Sequence, residues 1–135
     1  MTSLVWTCEV CSRPVRDGTG YLTVGYAALG EYRRAERAWE EAHPPSDDGF
    51  RVLNLSEYAT YPARVRWQAL HRRCDPNTGA VDYWIGIERI RTPAQLLHWT
   101  AHLMGKQWIG CTDWPHVLRT AAKTVDPLTG AEAAS

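Results

Sequence analysis

Two short motifs constrain this chain more than anything else in it. Cys8-Glu9-Val10-Cys11 lies near the start, and His71-Arg72-Arg73-Cys74 follows after fifty-nine intervening residues. Zinc takes a tetrahedron of soft or borderline donors, and two donors three positions apart on a tight knuckle supply two corners at once. A second such pair closes the shell. Three sulfurs and one imidazole leave no position for water, which is the arrangement of a structural ion rather than a catalytic one. The sequence therefore predicts one structural Zn2+ held by Cys8, Cys11, His71 and Cys74. The surroundings agree, since Asp17-Gly18 follows the first pair and the turn cluster Asp75-Pro76-Asn77-Thr78-Gly79 follows the second. One alternative treats these cysteines as small core residues and His71 as a satisfied histidine, and must place two matched pairs by chance. Another puts Cys111 in place of His71, but Cys111 has no neighbour at knuckle spacing and reads as a buried apolar residue or a free thiol.

With Cys8, Cys11, a hairpin read at 15–24 and a strand running into His71 and Cys74, the first 75 residues resemble the zinc-ribbon and treble-clef group of zinc fingers. The resemblance implies zinc used for folding, and binding to nucleic acid or protein. The chain departs from the simplest ribbons by placing a helix and a strand between the two pairs, where roughly 15–20 residues are usual.

The remaining elements follow from periodicity and turn chemistry. Asp17-Gly18 supplies a positive-φ turn and Tyr21-Leu22-Thr23-Val24 a return strand, which predicts the hairpin over 15–24. Tyr32, Ala35, Trp39 and Ala42 make one apolar stripe of a helix over 29–42, with Glu36, Arg37, Glu40 and Glu41 on its wet side and Pro44-Pro45 ending it. Strands are expected over 50–55, 64–70 and 81–87, the last with a reach to Ile90. Thr92-Pro93-Ala94-Gln95 matches a capping box opening a helix that stops at Gly105, and Thr112 or Asp113 caps a final short helix. The predicted fold class is α+β: a small zinc-pinned antiparallel sheet, an inserted helix, and a C-terminal helical pair packed on the sheet. A single domain spans 1–123, and 124–135 reads as a flexible C-terminal tail. A chain of 135 residues suits one domain and is short for two.

Composition bounds the function classes. Hydrophobic residues at 44% and charged residues at 22% place the chain with ordinary globular proteins. No apolar run approaches the roughly 20 residues that cross a bilayer, and the N-terminus carries no basic start with a long apolar stretch, so a cytoplasmic location is expected, with no membrane partner. Reducing conditions there favour metal-bound or free thiols over disulfides. Arginine outnumbers lysine 13 to 2. That is the usage expected of a high-GC genome, such as that of an actinobacterium or one of its phages, and it implies no mechanism. Seven tryptophans read as large rings that bury area economically in a small core; the alternative makes one or two of them exposed anchors for a partner.

A net charge of zero conceals an asymmetry. Residues 1–63 carry six basic and nine acidic side chains, and residues 64–123 nine basic and four acidic. Arg64, Arg66, Arg72, Arg73, Arg89 and Arg91 surround the second knuckle, and nucleic acid is the partner they point to. The rival is a protein partner, for instance a host factor bound by a phage protein, which suits the neutral charge and the tryptophans. An enzyme ranks third. The chain has no phosphate-cradling glycine loop and no Gly-x-Ser-x-Gly, and no small-molecule substrate suggests itself. His98 and His102 share a helix face, but Trp99 stands where a zincin has glutamate, so they read as polar-face histidines.

Overall fold

A computed structural model describes residues 3–50, 53–77 and 82–125. Its first element is an extended arm that the sequence reading passed over. Leu4, Trp6 and Cys8 are buried while Val5 and Thr7 are exposed, the two-residue alternation of a half-buried strand. The arm is tied to the 87–91 turn, with the Leu4 amide donating to the Arg91 carbonyl (2.7 Å) and the Trp6 indole N–H to the Ile90 carbonyl (2.8 Å).

The chain then folds back on itself. Cys8 donates to the Arg13 carbonyl (2.9 Å), Val15 to the Trp6 carbonyl (2.7 Å), and Thr7 bridges Pro14. This corrects the expected hairpin over 15–24. Val15 pairs back with the arm, because the knuckle loop returns it to Trp6, and its amide donates there rather than to the strand ahead. The Asp17-Gly18 turn is present, with Gly18 at φ 78°.

The return strand β1 (Gly20–Gly25) becomes the centre of a three-stranded antiparallel sheet ordered β2-β1-β3, with β2 at Gln68–His71 and β3 at Asp82–Gly86. The register sets Gly20 against His71 and Leu22 against both Ala69 and Ile85. Leu22, Val24, Ala69 and Ile85 thus share one buried face. Gly20 must be glycine: a Cβ there would lie 2.2 Å from the Leu70 carbonyl oxygen and 2.6 Å from Val15 Cγ1. That close approach brings the first knuckle against the end of β2.

Helix α1 spans Tyr26–Ala42 and begins three residues before its expected start, with Gly25 as N-cap and Asp82 Oδ1 accepting from the Tyr26 amide (3.3 Å). Its inner stripe is Leu29, Tyr32, Glu36, Trp39 and His43, whereas Ala35 and Ala42 are exposed. Glu36 is half-buried and not on a wet face, because the hydroxyls of Tyr32 (3.3 Å) and Tyr61 (2.5 Å) both donate to its Oε2. Trp39 stacks on His43 and donates its indole N–H to Thr60 Oγ1 (2.9 Å), docking the 58–61 turn on the helix.

The strand expected over 50–55 is not formed at its end. Leu55 starts a one-turn helix, α2 (Leu55–Tyr58), capped by Asn54 Oδ1 accepting from the Glu57 amide (2.8 Å). Asn54 is a strong N-cap, and Leu55, at 89% exposure, has no core to enter. Arg51 and Val52 lie outside the described residues. The extended run over 64–70 is divided between two partners. Val65 bridges Thr112 in parallel and exchanges bonds with Cys111 and Asp113, and only from Gln68 does the chain join β1.

Strand β3 ends at Gly86, short of Ile90, since Ile87–Arg89 turns into a 3-10 helix that buries Ile87 and Ile90. Val81, the expected first residue, lies outside the described residues. Helix α3 (Pro93–Leu103) opens with the full capping box: Thr92 Oγ1 accepts from the Gln95 amide and Gln95 Oε1 from the Thr92 amide, each at 3.1 Å. Helix α4 (Trp114–Val125) continues through the residues where the tail was expected to begin, and Thr124 Oγ1 accepts from the Val5 amide (3.2 Å); residues 126–135 of that tail lie outside the described residues. Leu96, Leu103, Trp114, Val117 and Ala121 join Leu22 and Ile85 in one core, so the helical pair packs on the sheet and the fold is α+β.

Candidate metal centre

The two ligand pairs, far apart in sequence, meet at the Gly20 end of β1. One ligand atom from each of Cys8, Cys11, His71 and Cys74 lies within 4.8 Å of the others, the one such group of three or more among the described residues. Each pair arrives by a different local device. Cys8 ends the buried arm, and the loop closes through the Ser12 amide on the Cys8 carbonyl (2.9 Å), with Ser12 at φ 63°. His71 ends β2, and Cys74 follows on a 3-10 turn over Arg72–Cys74.

The geometry suits a tetrahedral ion. Zinc–sulfur bonds of about 2.3 Å and zinc–nitrogen bonds of about 2.0–2.1 Å put tetrahedral donors roughly 3.5–3.8 Å apart. His71 Nδ1 stands 3.2 Å from Cys11 Sγ and 3.9 Å from Cys74 Sγ. His71 is only 6% exposed, and its other nitrogen, Nε2, is 3.0 Å from the Pro14 carbonyl. A carbonyl only accepts, so Nε2 carries the proton and Nδ1 turns its lone pair toward the sulfurs. This orientation of the second ring nitrogen is what a metal-binding imidazole needs.

The thiols are electrostatically uneven. Burial pushes the Cys8 thiol up, but backbone N–H groups of Cys11, His71 and Val10 aimed at its sulfur outweigh that and bring it down to about 6. Cys74 is pushed up, first by burial and then by its contacts with Cys8 and Cys11, because negative charge gathering on one sulfur opposes charge on the next. A divalent cation removes that opposition. The four residues are therefore compatible with a zinc site. Cys111 is not among the converging groups; its carbonyl accepts from Val65 (2.8 Å), away from the cluster. His98, His102 and His116 form no such group among the described residues.

A cleft of about 630 Å³ opens beside the knuckles, lined by Arg13, Pro14, Arg16, Thr19, His71, Arg72 and Arg73. Of the six arginines singled out from sequence, only Arg72 and Arg73 line it. Arg66 pairs with Glu9 (2.9 Å) and Arg91 with Asp17 (3.0 Å), Arg89 lines a separate concavity beside His98, and Arg64 is exposed. Arg13 and Arg16 were missed because they belong to the acidic half of the chain, and a count of charge by halves hides them.

Carboxylates near the cleft are engaged elsewhere. Asp17 pairs with Arg91, Glu88 Oε1 accepts from the Gly18 amide (3.0 Å), and Asp75 accepts from the Tyr21 hydroxyl and the Asn77 amide. Among the described residues no carboxylate forms an ion pair with Arg13, Arg16, Arg72 or Arg73.

Comparison of the chain with protein-family models, with curated proteins and with solved structures gives no match. The likeness to zinc fingers therefore rests on the ligand pattern and its convergence. No helix of the described residues is long and apolar enough to cross a membrane.

Proposed function

We propose that this chain is a non-catalytic, regulatory or accessory binding module, held together by one structural zinc ion and binding nucleic acid through phosphate contacts in the arginine cleft. Zinc is favoured over other ions by three thiolates and one oriented imidazole in a closed shell. The observation that carries the partner is the cleft itself: four arginines from the segments around the two knuckles line one concavity, with the neighbouring carboxylates already bonded elsewhere. Guanidinium forks match phosphate oxygens in pairs. The broad face expected around the second knuckle narrows to Arg72 and Arg73, joined by Arg13 and Arg16.

Neutralising phosphates releases counterions, so affinity must fall with salt. If all four arginines contact phosphate, log K falls with a slope of about −3 against log salt, roughly 50-fold or more between 50 and 200 mM. The test is anisotropy of a labelled oligonucleotide titrated with the zinc-loaded protein at several salt concentrations, repeated with Arg72→Ala/Arg73→Ala. Flat affinity across salt, or an unchanged slope in the variant, overturns the cleft as a nucleic-acid site. Capture of a protein partner that survives nuclease treatment, with no oligonucleotide bound, would assign the cleft to an acidic protein.

A further inference from the structure

We infer that the nucleic acid taken by this cleft is single-stranded, and that Trp84, with Tyr21 behind it, stacks an unpaired base beside the arginines. The inference rests on the nucleic-acid reading above and goes beyond it by naming the strand state and the base-reading residue.

In a chain that buries Trp6, Trp39, Trp67 and Trp114, Trp84 stands 58% exposed. It lies mid-strand in β3, where its position is fixed by pairing with Thr23 on β1. Its face of the sheet is opposite the one occupied by Leu22, Ala69 and Ile85, and although Thr23 and Leu70 on that face are buried, Trp84 itself is not part of the core. The Tyr21 ring supports it from the diagonal position, with ring centroids 5.9 Å apart and planes inclined at 51°.

Tyr21 in turn connects the platform to the cleft. Its hydroxyl bonds Asp75, the residue directly after the ligand Cys74, and the Arg72 guanidinium acts electrostatically on the phenol. The Thr23–Trp84 row lies three steps along β1 from the Gly20–His71 row, where the cleft and knuckles meet, about 10 Å at the usual rise, and β3 lies two strand spacings, again about 10 Å, from β2. A ring to stack on and a cationic groove within that reach are the two parts that proteins use to hold single strands. A duplex presents its phosphates to such a cleft but keeps its base faces stacked inside, where Trp84 cannot meet them. Rigid support matters here: a strand-held ring braced by a second ring loses little freedom when a base lands on it.

The experiment uses the zinc-loaded protein with two fluorescein-labelled probes, an oligothymidine and a hairpin duplex of the same nucleotide count, at one low salt concentration. The single strand should bind at least tenfold more tightly than the duplex. Trp84→Ala should weaken the single strand by roughly five- to 150-fold, the range for loss of one stacked base, and leave duplex binding unchanged. Trp84→Phe, which keeps a stacking face, should recover most of the loss, and its side chain is exposed enough that neither variant threatens the core. Equal binding of both probes with salt-dependent affinity, and no effect of Trp84→Ala, overturns this inference while leaving the arginine cleft in place. No binding of either probe overturns the nucleic-acid reading itself.

Discussion

Withdrawing the metal should weaken the fold by an amount that the loop between the knuckles sets. The tie joins residues 8–11 to residues 71–74, closing a loop of about 60 residues, and a cross-link over that length restricts the unfolded chain by about 4 kcal/mol in the chain-entropy account. That is a large share of the 5–15 kcal/mol by which a domain is stable. At the roughly 3–5 °C per kcal/mol that applies to a chain of this size, the melting temperature should drop by about 12–20 °C when zinc is stripped by a chelator. His71→Ala should fall by at least as much, because it also loses the bond from Nε2 to the Pro14 carbonyl and leaves a hole among buried groups. His71→Cys restores a fourth donor but gives up that hydrogen bond, typically about 1 kcal/mol, and part of the same packing, so it should keep one zinc and melt well above His71→Ala. Circular dichroism melts, with zinc counted in the same samples, provide the measurement. A stripped protein that melts within ~2 °C of the loaded one, a difference below 1 kcal/mol, would refute the idea that the clamp holds the fold.

Ser12 adopts φ 63°, a region that costs a side-chain-bearing residue roughly 1–2 kcal/mol and glycine little, so Ser12→Gly should raise the unfolding free energy from denaturant titration by about 1 kcal/mol with zinc retained. Gly20→Ala should do the opposite: the new methyl meets the Leu70 carbonyl, which cannot swing aside, and a loss of about 3 kcal/mol with weakened zinc retention is expected in the same assay. Acid should release the metal, since the Cys8 thiol, held down to about 6, keeps its stabilising thiolate above that value and loses it as pH falls through it. A zinc-sensitive dye should show retention near neutrality and release on acidification, and Cys8→Ser should release at a higher pH than the parent; an unchanged release pH in that variant would show that Cys8 is not a ligand.

The convergence of the four cysteine and histidine residues was legible because metal chemistry demands matched spacing, and the capping box because its bonds are local. Both signals depend on residues three positions apart. What escaped depends on partners distant in the chain. Val15 reads as the first arm of a hairpin until Trp6 claims its amide. Glu36 reads as a solvent-facing acid until Tyr61, twenty-five residues on, hydrogen-bonds it. The buried arm was available in the alternation of Leu4, Trp6 and Cys8, but three inward residues are a faint pattern beside a cysteine pair. Arg13 and Arg16 belong with Arg72 and Arg73 only because the sheet register brings Gly20 to His71.

If zinc and a polyanion bind as proposed, that shared origin couples two equilibria. Arg13 and Arg16 ride on the loop after one pair of ligands, while Arg72 and Arg73 are the two residues between the other pair, so the jaws of the cleft are the arms of the clamp. An ion that closes the clamp sets the gap between the jaws, and an anion gripped by the jaws opposes the clamp's opening. Linkage of this kind is reciprocal. Whatever factor zinc adds to the grip on a polyanion, the polyanion must return in the tenacity with which zinc is kept.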